Sequence, residues 1–241
     1  MRRAAVAALA SLWPAALALA NGTISGTVRA DHPPRDLPAV KIAKDATVCG
    51  KEAARDVLVV AADGALANVV VSVRGLKPSQ PPAPVAGAAV DQVGCHYTPH
   101  VQAVTVGTTL QVLNNDAVLH NVHGTLDAAV GGWASPLTVF NVAMPFKGGK
   151  SPQVLKRPGP IKLRCDAGHT WMNAYVHVFD HPYFAVTDGK GRFTIKDVPP
   201  GKHTVEYWHE PIVEKQAPIV RILTIDVADG TTAAADTTIV F

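Results

Sequence analysis

Hydrophobic and polar residues alternate with a period of two in short runs along most of this chain, and almost no segment sustains the 3.6-residue repeat of an amphipathic helix. Gly, Pro, Asn and Asp separate the runs, so the chain reads as all-β. The pattern predicts strands over Thr23–Arg29, Val57–Ala61, Val69–Arg74, Val101–Val106, Thr109–Asn114 and His120–Gly124. Further runs predict Ile161–Cys165, Ala174–Phe179, Phe184–Thr187, Arg192–Lys196, Thr204–Trp208, Ile222–Val227 and Thr237–Phe241. Pro78–Gly87, reading PSQPPAPVAG, is a loop or linker, because proline cannot donate to a central β-ladder.

The N-terminus breaks the pattern. Met1 to Ala20 opens on Arg2 and Arg3, runs through an apolar stretch rich in Ala and Leu, and ends on Ala18-Leu19-Ala20. A basic start, an apolar middle and a small-residue end mark a secretory signal, which places the mature start near Asn21. Pro14 interrupts the apolar run, which is short for a membrane span; an uncleaved anchor is the alternative. Loss of Arg2 and Arg3 takes Lys+Arg from 22 to 20, against 19 Asp+Glu. No polyanion-binding surface follows, and nucleic acid is not an expected partner. Nothing after residue 20 is apolar for long enough to cross a bilayer, so the expected product is soluble and periplasmic.

The candidate chemistry lies in two motifs. NNDAVLHN supplies His120, and CDAGHTWM supplies Cys165, His169 and Met172. A thiolate, two imidazoles and a thioether suit a mononuclear copper site, because the soft sulfurs favour Cu(I) while imidazole accepts either oxidation state. In IKLRC the residues Ile161, Leu163 and Cys165 share one strand face, which puts the thiol on the buried side. Val118, His120 and Val122 likewise share a face, aiming the imidazole inward, where a neutral ring needs a partner or a metal. The alternatives are a hydrogen-bonded core histidine and a methionine that only fills space.

Three cysteines in an oxidising compartment predict one disulfide and one thiol with another task. With Cys165 as the odd thiol, Cys49 and Cys95 pair and close a loop of roughly 45 residues. Two buried free thiols are the alternative.

Two resemblances organise these observations. GTISGTV at Gly22–Val28, LANVVVSVRG at Leu66–Gly75 and the meander TDGKGRFTIKDVPPGKHTVEYWHE resemble the carboxypeptidase regulatory-like (transthyretin-like) β-sandwich. The stretch from Cys95 to Asp180, with its two motifs in order, resembles the cupredoxins. Together they imply a cupredoxin-like Greek-key β-sandwich inserted in or fused to a second, transthyretin-like one. The expected division is 1–20 signal, 21–94 and 181–241 regulatory-like sandwich, and 95–180 copper unit; one continuous larger sandwich is the alternative.

The cupredoxin resemblance implies one copper held by His120, Cys165 and His169, with Met172 as a weak axial ligand. It also implies that Asn121, directly after His120, hydrogen-bonds the ligand loop and supports it. Trp171 covers the site or simply packs. The three residues between Cys165 and His169 exceed the two of amicyanin-type loops and match the second half of the binuclear loop in cytochrome oxidase subunit II. That binuclear site needs a further cysteine where this chain has Ile161, so a single copper is expected. His100, His123, His177, His181 and His209 form a second metal site, an interdomain network, or ordinary core and surface positions.

The function expected is a one-electron carrier meeting redox partner proteins in the periplasm, of the kind grouped with methylamine-utilisation proteins, and not an enzyme. A non-redox binding or adhesion module with a degenerate copper unit is the alternative. An enzyme with Cys165 as nucleophile and His169 as base is a third reading, which His120 and Met172 do not suit.

Overall fold

The computed structural model describes residues 20–126, 135–213 and 216–241. The expected signal, apart from Ala20, lies outside the described residues. No helix among them is long and apolar enough to cross a membrane.

The fold class is all-β, with 52% strand and 2% helix. Two sheets enclose the first core. One runs in the order β10 (Leu137–Met144), β9 (His120–Leu126), β12 (Gly159–Arg164), β13 (Asn173–Phe179) and β7 (Val101–Thr105). The other runs β11 (Gly149–Val154), β8 (Thr109–Asn114), β5 (Ala89–Val93) and β6 (His96–Thr98). β7 joins β13 in parallel and β5 joins β8 in parallel, while the other pairings are antiparallel. Alternation drives each strand's inner face into this core: Leu110 and Val112 from β8, Ile161 and Leu163 from β12, and Val122 and Leu126 from β9 are all buried. Each such side chain contributes about 1.5–3 kcal/mol.

The second core lies between β15 (Arg192–Val198), β1 (Gly22–Asp31), β18 (Thr232–Ala234) and β19 (Thr237–Val240) on one side, and β14 (Phe184–Val186), β4 (Val70–Arg74), β16 (Gly201–His209) and β17 (Ile219–Val227) on the other. The two ends of the chain thus build one sandwich, and its middle builds the other. Gly191, at φ +68°, allows the turn before β15; a Cβ there would lie 2.4 Å from the Val28 carbonyl oxygen.

Three expectations need correction. The boundary at 94/95 does not follow the sheets: β5 pairs with β8, and Ile42, Cys49 and Ala53 already belong to the first core. These three come from a small unit in which β2 (Val40–Lys41) pairs with β3 (Glu52–Ala53) around the single turn α1 (Ala46–Cys49). Val57–Ala61 forms no strand, only an isolated bridge from Val60 to Leu66, because the turn at Asp63-Gly64 reverses the chain at once. β10 and β11 were absent from the pattern because both are edge strands whose residues are mostly exposed or half-exposed, and β11 carries Pro152.

Val70 and Trp208 of the second sandwich pack against Val101 and Tyr175 of the first. His177 lies in this seam with its ring 4.2 Å from Trp208, and its Nε2 has no hydrogen-bond partner among the described residues. Burial pushes His177 down to about 3 and His209 down to about 4. Both rings are therefore neutral in the fold at pH 7, whereas the unfolded chain protonates them below about 6.5. Their contribution is present above that value and is lost as pH falls toward the folded values. Between pH 6 and pH 5 stability is expected to drop by about 1.2 kcal/mol per histidine. Urea unfolding across that range checks this, and a slope left unchanged by His177→Phe would contradict the role of His177.

Candidate metal centre

β9 and β12 run antiparallel with His123 opposite Arg164, so the start of β9 lies beside the end of β12. His120 opens β9, and the β12–β13 connection carries Cys165, His169 and Met172. Residues 45 positions apart in sequence thereby meet at one end of the sandwich. His120 and His169 are 0% exposed and Cys165 is 5% exposed.

The ring atoms His120 Nδ1 and His169 Nδ1 lie 3.1 Å apart, and Cys165 Sγ is 3.6 Å from His169 Nδ1. The three ligand atoms all fall within 4.8 Å of one another. Met172 is buried in the same core, and its amide donates to the His169 carbonyl at 3.0 Å. This tight turn keeps the loop between Cys165 and β13 short.

Each imidazole is oriented from behind by a carboxyl group. His120 Nε2 meets Asp116 Oδ2 at 2.9 Å, and His169 Nε2 meets Asp45 Oδ2 at 2.9 Å. A carboxylate only accepts, so both rings carry their proton on Nε2. Both Nδ1 lone pairs then point into the same small space as the thiol. Two acceptors at 3.1 Å with no proton between them repel each other, and a cation relieves that repulsion. Burial and the neighbouring His169 hold His120 below its ordinary pKa, with the Asp116 hydrogen bond opposing them, so a second proton on His120 is disfavoured. Two nitrogens and one soft sulfur at these separations fit a first-row transition metal with bonds of about 2 Å. The donor set suits copper.

Asn121 Oδ1 accepts the Asp166 amide at 3.2 Å, tying β9 to the loop just after Cys165. The Tyr97 hydroxyl donates to the Asn121 carbonyl. Burial, followed by the nearby Cys165, raises the Tyr97 pKa, so the phenol stays protonated. Trp171 is half-buried, stands edge-on to His169 with centroids 5.2 Å apart, and donates from Nε1 to the Cys95 carbonyl at 3.0 Å. Cys49 and Cys95 are joined as a disulfide, and Cys165 is free. A cleft of about 580 Å³ reaches the centre along Arg164, Cys165, Trp171 and Met172, with Glu210 and Ile212 on its far wall.

Sequence reasoning missed both carboxyl groups. Asp116 stands four residues before His120 inside the quoted motif, where a partner for an inward ring could have been sought. Asp45 lies 124 residues from His169 and left no local signal.

The remaining histidines form no second metal site among the described residues. His123 Nδ1 pairs with Asp166 Oδ2 at 2.6 Å, and its Nε2 meets the Thr138 hydroxyl at 2.9 Å. His100 Nε2 meets Glu210 across the two sandwiches, His209 Nδ1 donates to the Glu210 carbonyl at 2.8 Å, and His181 Nδ1 accepts the Tyr183 amide at 3.2 Å.

The class these elements define is an all-β protein in which one of two β-sandwiches carries a buried Cys-His-His cluster. No family model matches the chain, and no curated protein matches it. Similar solved structures include a purple cupredoxin from Nitrosopumilus maritimus, at 24% identity and a TM-score of 0.32 over 38% of this chain and 99% of that one. A reduced Cu(I) form of an amicyanin variant aligns at 23% identity and 0.32 over 45% and 98%. A copper-containing nitrite reductase from Thermus scotoductus aligns at 22% and 0.31 over 44% of this chain but only 27% of its own. Likenesses at these scores bear on neither metal nor activity, and the reading of the centre rests on the chain's own atoms.

Proposed function

We propose that this chain is an exported, mononuclear copper protein that carries single electrons between partner proteins. The observation that carries this reading is the pair of Nδ1 atoms, each fixed as an acceptor by a carboxyl group behind it, converging with a buried free thiol. Bound there, copper would supply a one-electron couple between Cu(I) and Cu(II). His120, Cys165 and His169 would hold it, with the Met172 thioether as a further ligand.

The chain's own contribution is rigidity. His120 starts a strand paired on both sides, and Asn121, Asp116 and Asp45 fix the loop and both rings, so the ligands are already oriented before metal arrives. A centre that changes little between oxidation states exchanges electrons with little reorganisation. The disulfide supports export, since such links persist in oxidising compartments. The second sandwich, read as regulatory-like, serves as a scaffold.

Loading purified mature protein with Cu(II) tests the proposal. An intense thiolate-to-copper absorption band is expected, bleached by reductant and absent in Cys165→Ser, with a matching change in the electron paramagnetic resonance spectrum. Copper held no more tightly than by an unrelated β-protein would favour the binding-module reading, and metal-free turnover dependent on Cys165 would favour a nucleophile.

A further inference from the structure

The outer edge of His169 is closed from outside the sandwich that carries the centre. Its ring is 0% exposed, and the segment that covers it is the small unit of residues 40–53. Asp45 caps α1 in the left-handed region, at φ 55° and ψ 30°, and its carbonyl accepts the amides of Val48 and Cys49. From this cap position its carboxylate reaches His169 Nε2 at 2.9 Å. Lys44 donates from Nζ to the Ala167 carbonyl in the ligand loop and lies against Gly168, which at φ +98° leaves room for it. The unit is fastened below by Cys49, the last residue of α1, through its disulfide to Cys95.

We propose that Asp45 is the positioning residue of His169. Through Nε2 it fixes which ring nitrogen faces the metal, and with Lys44 it seals that edge of the centre against water and partners. The proposal rests on the copper reading for its redox consequence, but not for the tautomer. A carboxylate behind a ligating imidazole raises the ring's basicity and favours the more highly charged metal. Cu(II) is therefore stabilised over Cu(I). The cleft lined by Cys165, Gly168, Trp171 and Met172 adjoins the centre.

The test compares wild type with Asp45→Asn, which keeps the shape and removes the charge, and with Asp45→Ala. In metal-free protein, nitrogen NMR of labelled His169 is expected to show the Nε2–H tautomer in wild type and in Asp45→Asn, whose amide oxygen still accepts, and a mixture in Asp45→Ala. In copper-loaded protein, the ratio of Cu(I) to Cu(II) affinity is expected to rise about tenfold in Asp45→Asn, which is about 59 mV upward for one electron. A tautomer that stays at its wild-type value in Asp45→Ala, together with a potential that stays there in Asp45→Asn, would overturn the proposal. A wild-type protein that takes up no copper while its His169 tautomer still follows Asp45 would overturn the carrier reading and support the positioning role.

Discussion

Asp116→Ala is expected to lower the unfolding free energy by about 3–5 kcal/mol and to weaken copper binding by about 10–100-fold. The carboxyl group is buried and accepts three donors: the Gly94 amide on Oδ1, and the Cys95 amide and His120 Nε2 on Oδ2. Removing it strands the buried Cys95 amide and His120 Nε2, while Gly94 is exposed, and each buried orphan costs about 1–3 kcal/mol. The same change frees His120 to rotate or to move its proton to Nδ1, the atom that faces Cys165 and His169. Stability and metal affinity should thus fall together, although no copper ligand has been altered.

Asp116→Asn separates the two effects. With its oxygen placed as Oδ2, the amide keeps the Cys95 and His120 bonds and loses only that of Gly94. It should lose about 0.5–1.5 kcal/mol, the net worth of one hydrogen bond, because Gly94 is exposed and water can replace the lost partner. Chemical denaturation of the metal-free variants, with copper titration alongside, checks both numbers. If Asp116→Ala unfolds within about 1 kcal/mol of wild type, the three bonds do not hold this corner.

The sequence made strands legible where one face is fully buried. Leu110 and Val112 in β8, Ile161 and Leu163 in β12, and Phe193 and Ile195 in β15 alternate cleanly, because each strand has core on one side and water on the other. β10 and β11 had no such contrast. They lie at sheet edges where one neighbour and partial burial suffice, and Pro152 is tolerated there for the same reason. β5 and β6 were overlooked because the short hairpin AVDQVGCHYT mixes buried Val90, Gln92, Cys95 and Tyr97 with polar positions.

The site divides in the same way. Cys165, His169 and Met172 share one loop, and strand parity placed Cys165 inward, so they could be read locally. Asn121, next to His120 in sequence, reaches the same loop at the Asp166 amide. Asp45 could not be read at all. Its role depends on where a separate piece of chain is laid across the end of the sandwich, which no periodicity in residues 40–53 encodes.

Cys49→Ser combined with Cys95→Ser is the second large expected effect, a loss of about 4 kcal/mol by the chain-entropy model for a 46-residue separation. α1 is a single four-residue turn, too short to persist by its own hydrogen bonds. Without the link, the unit that presents Lys44 and Asp45 is held by the short β2–β3 pairing and by the burial of Ile42 and Ala53. Asp45 should then spend less time at His169, and the redox potential should move in the direction of Asp45→Asn but by less. Cys95 also holds the loop directly, since its carbonyl accepts Trp171 Nε1 and its amide donates to Asp116. Those are backbone contacts that serine preserves, so copper binding itself should survive. Guanidinium unfolding of the double variant, and of wild type with and without a thiol reductant, reads the first effect, while voltammetry of copper-loaded protein reads the second. A reductant that shifts the unfolding midpoint of wild type but leaves the double variant untouched is the expected pattern, and equal midpoints in wild type with and without reductant would show that the link does not secure the cap.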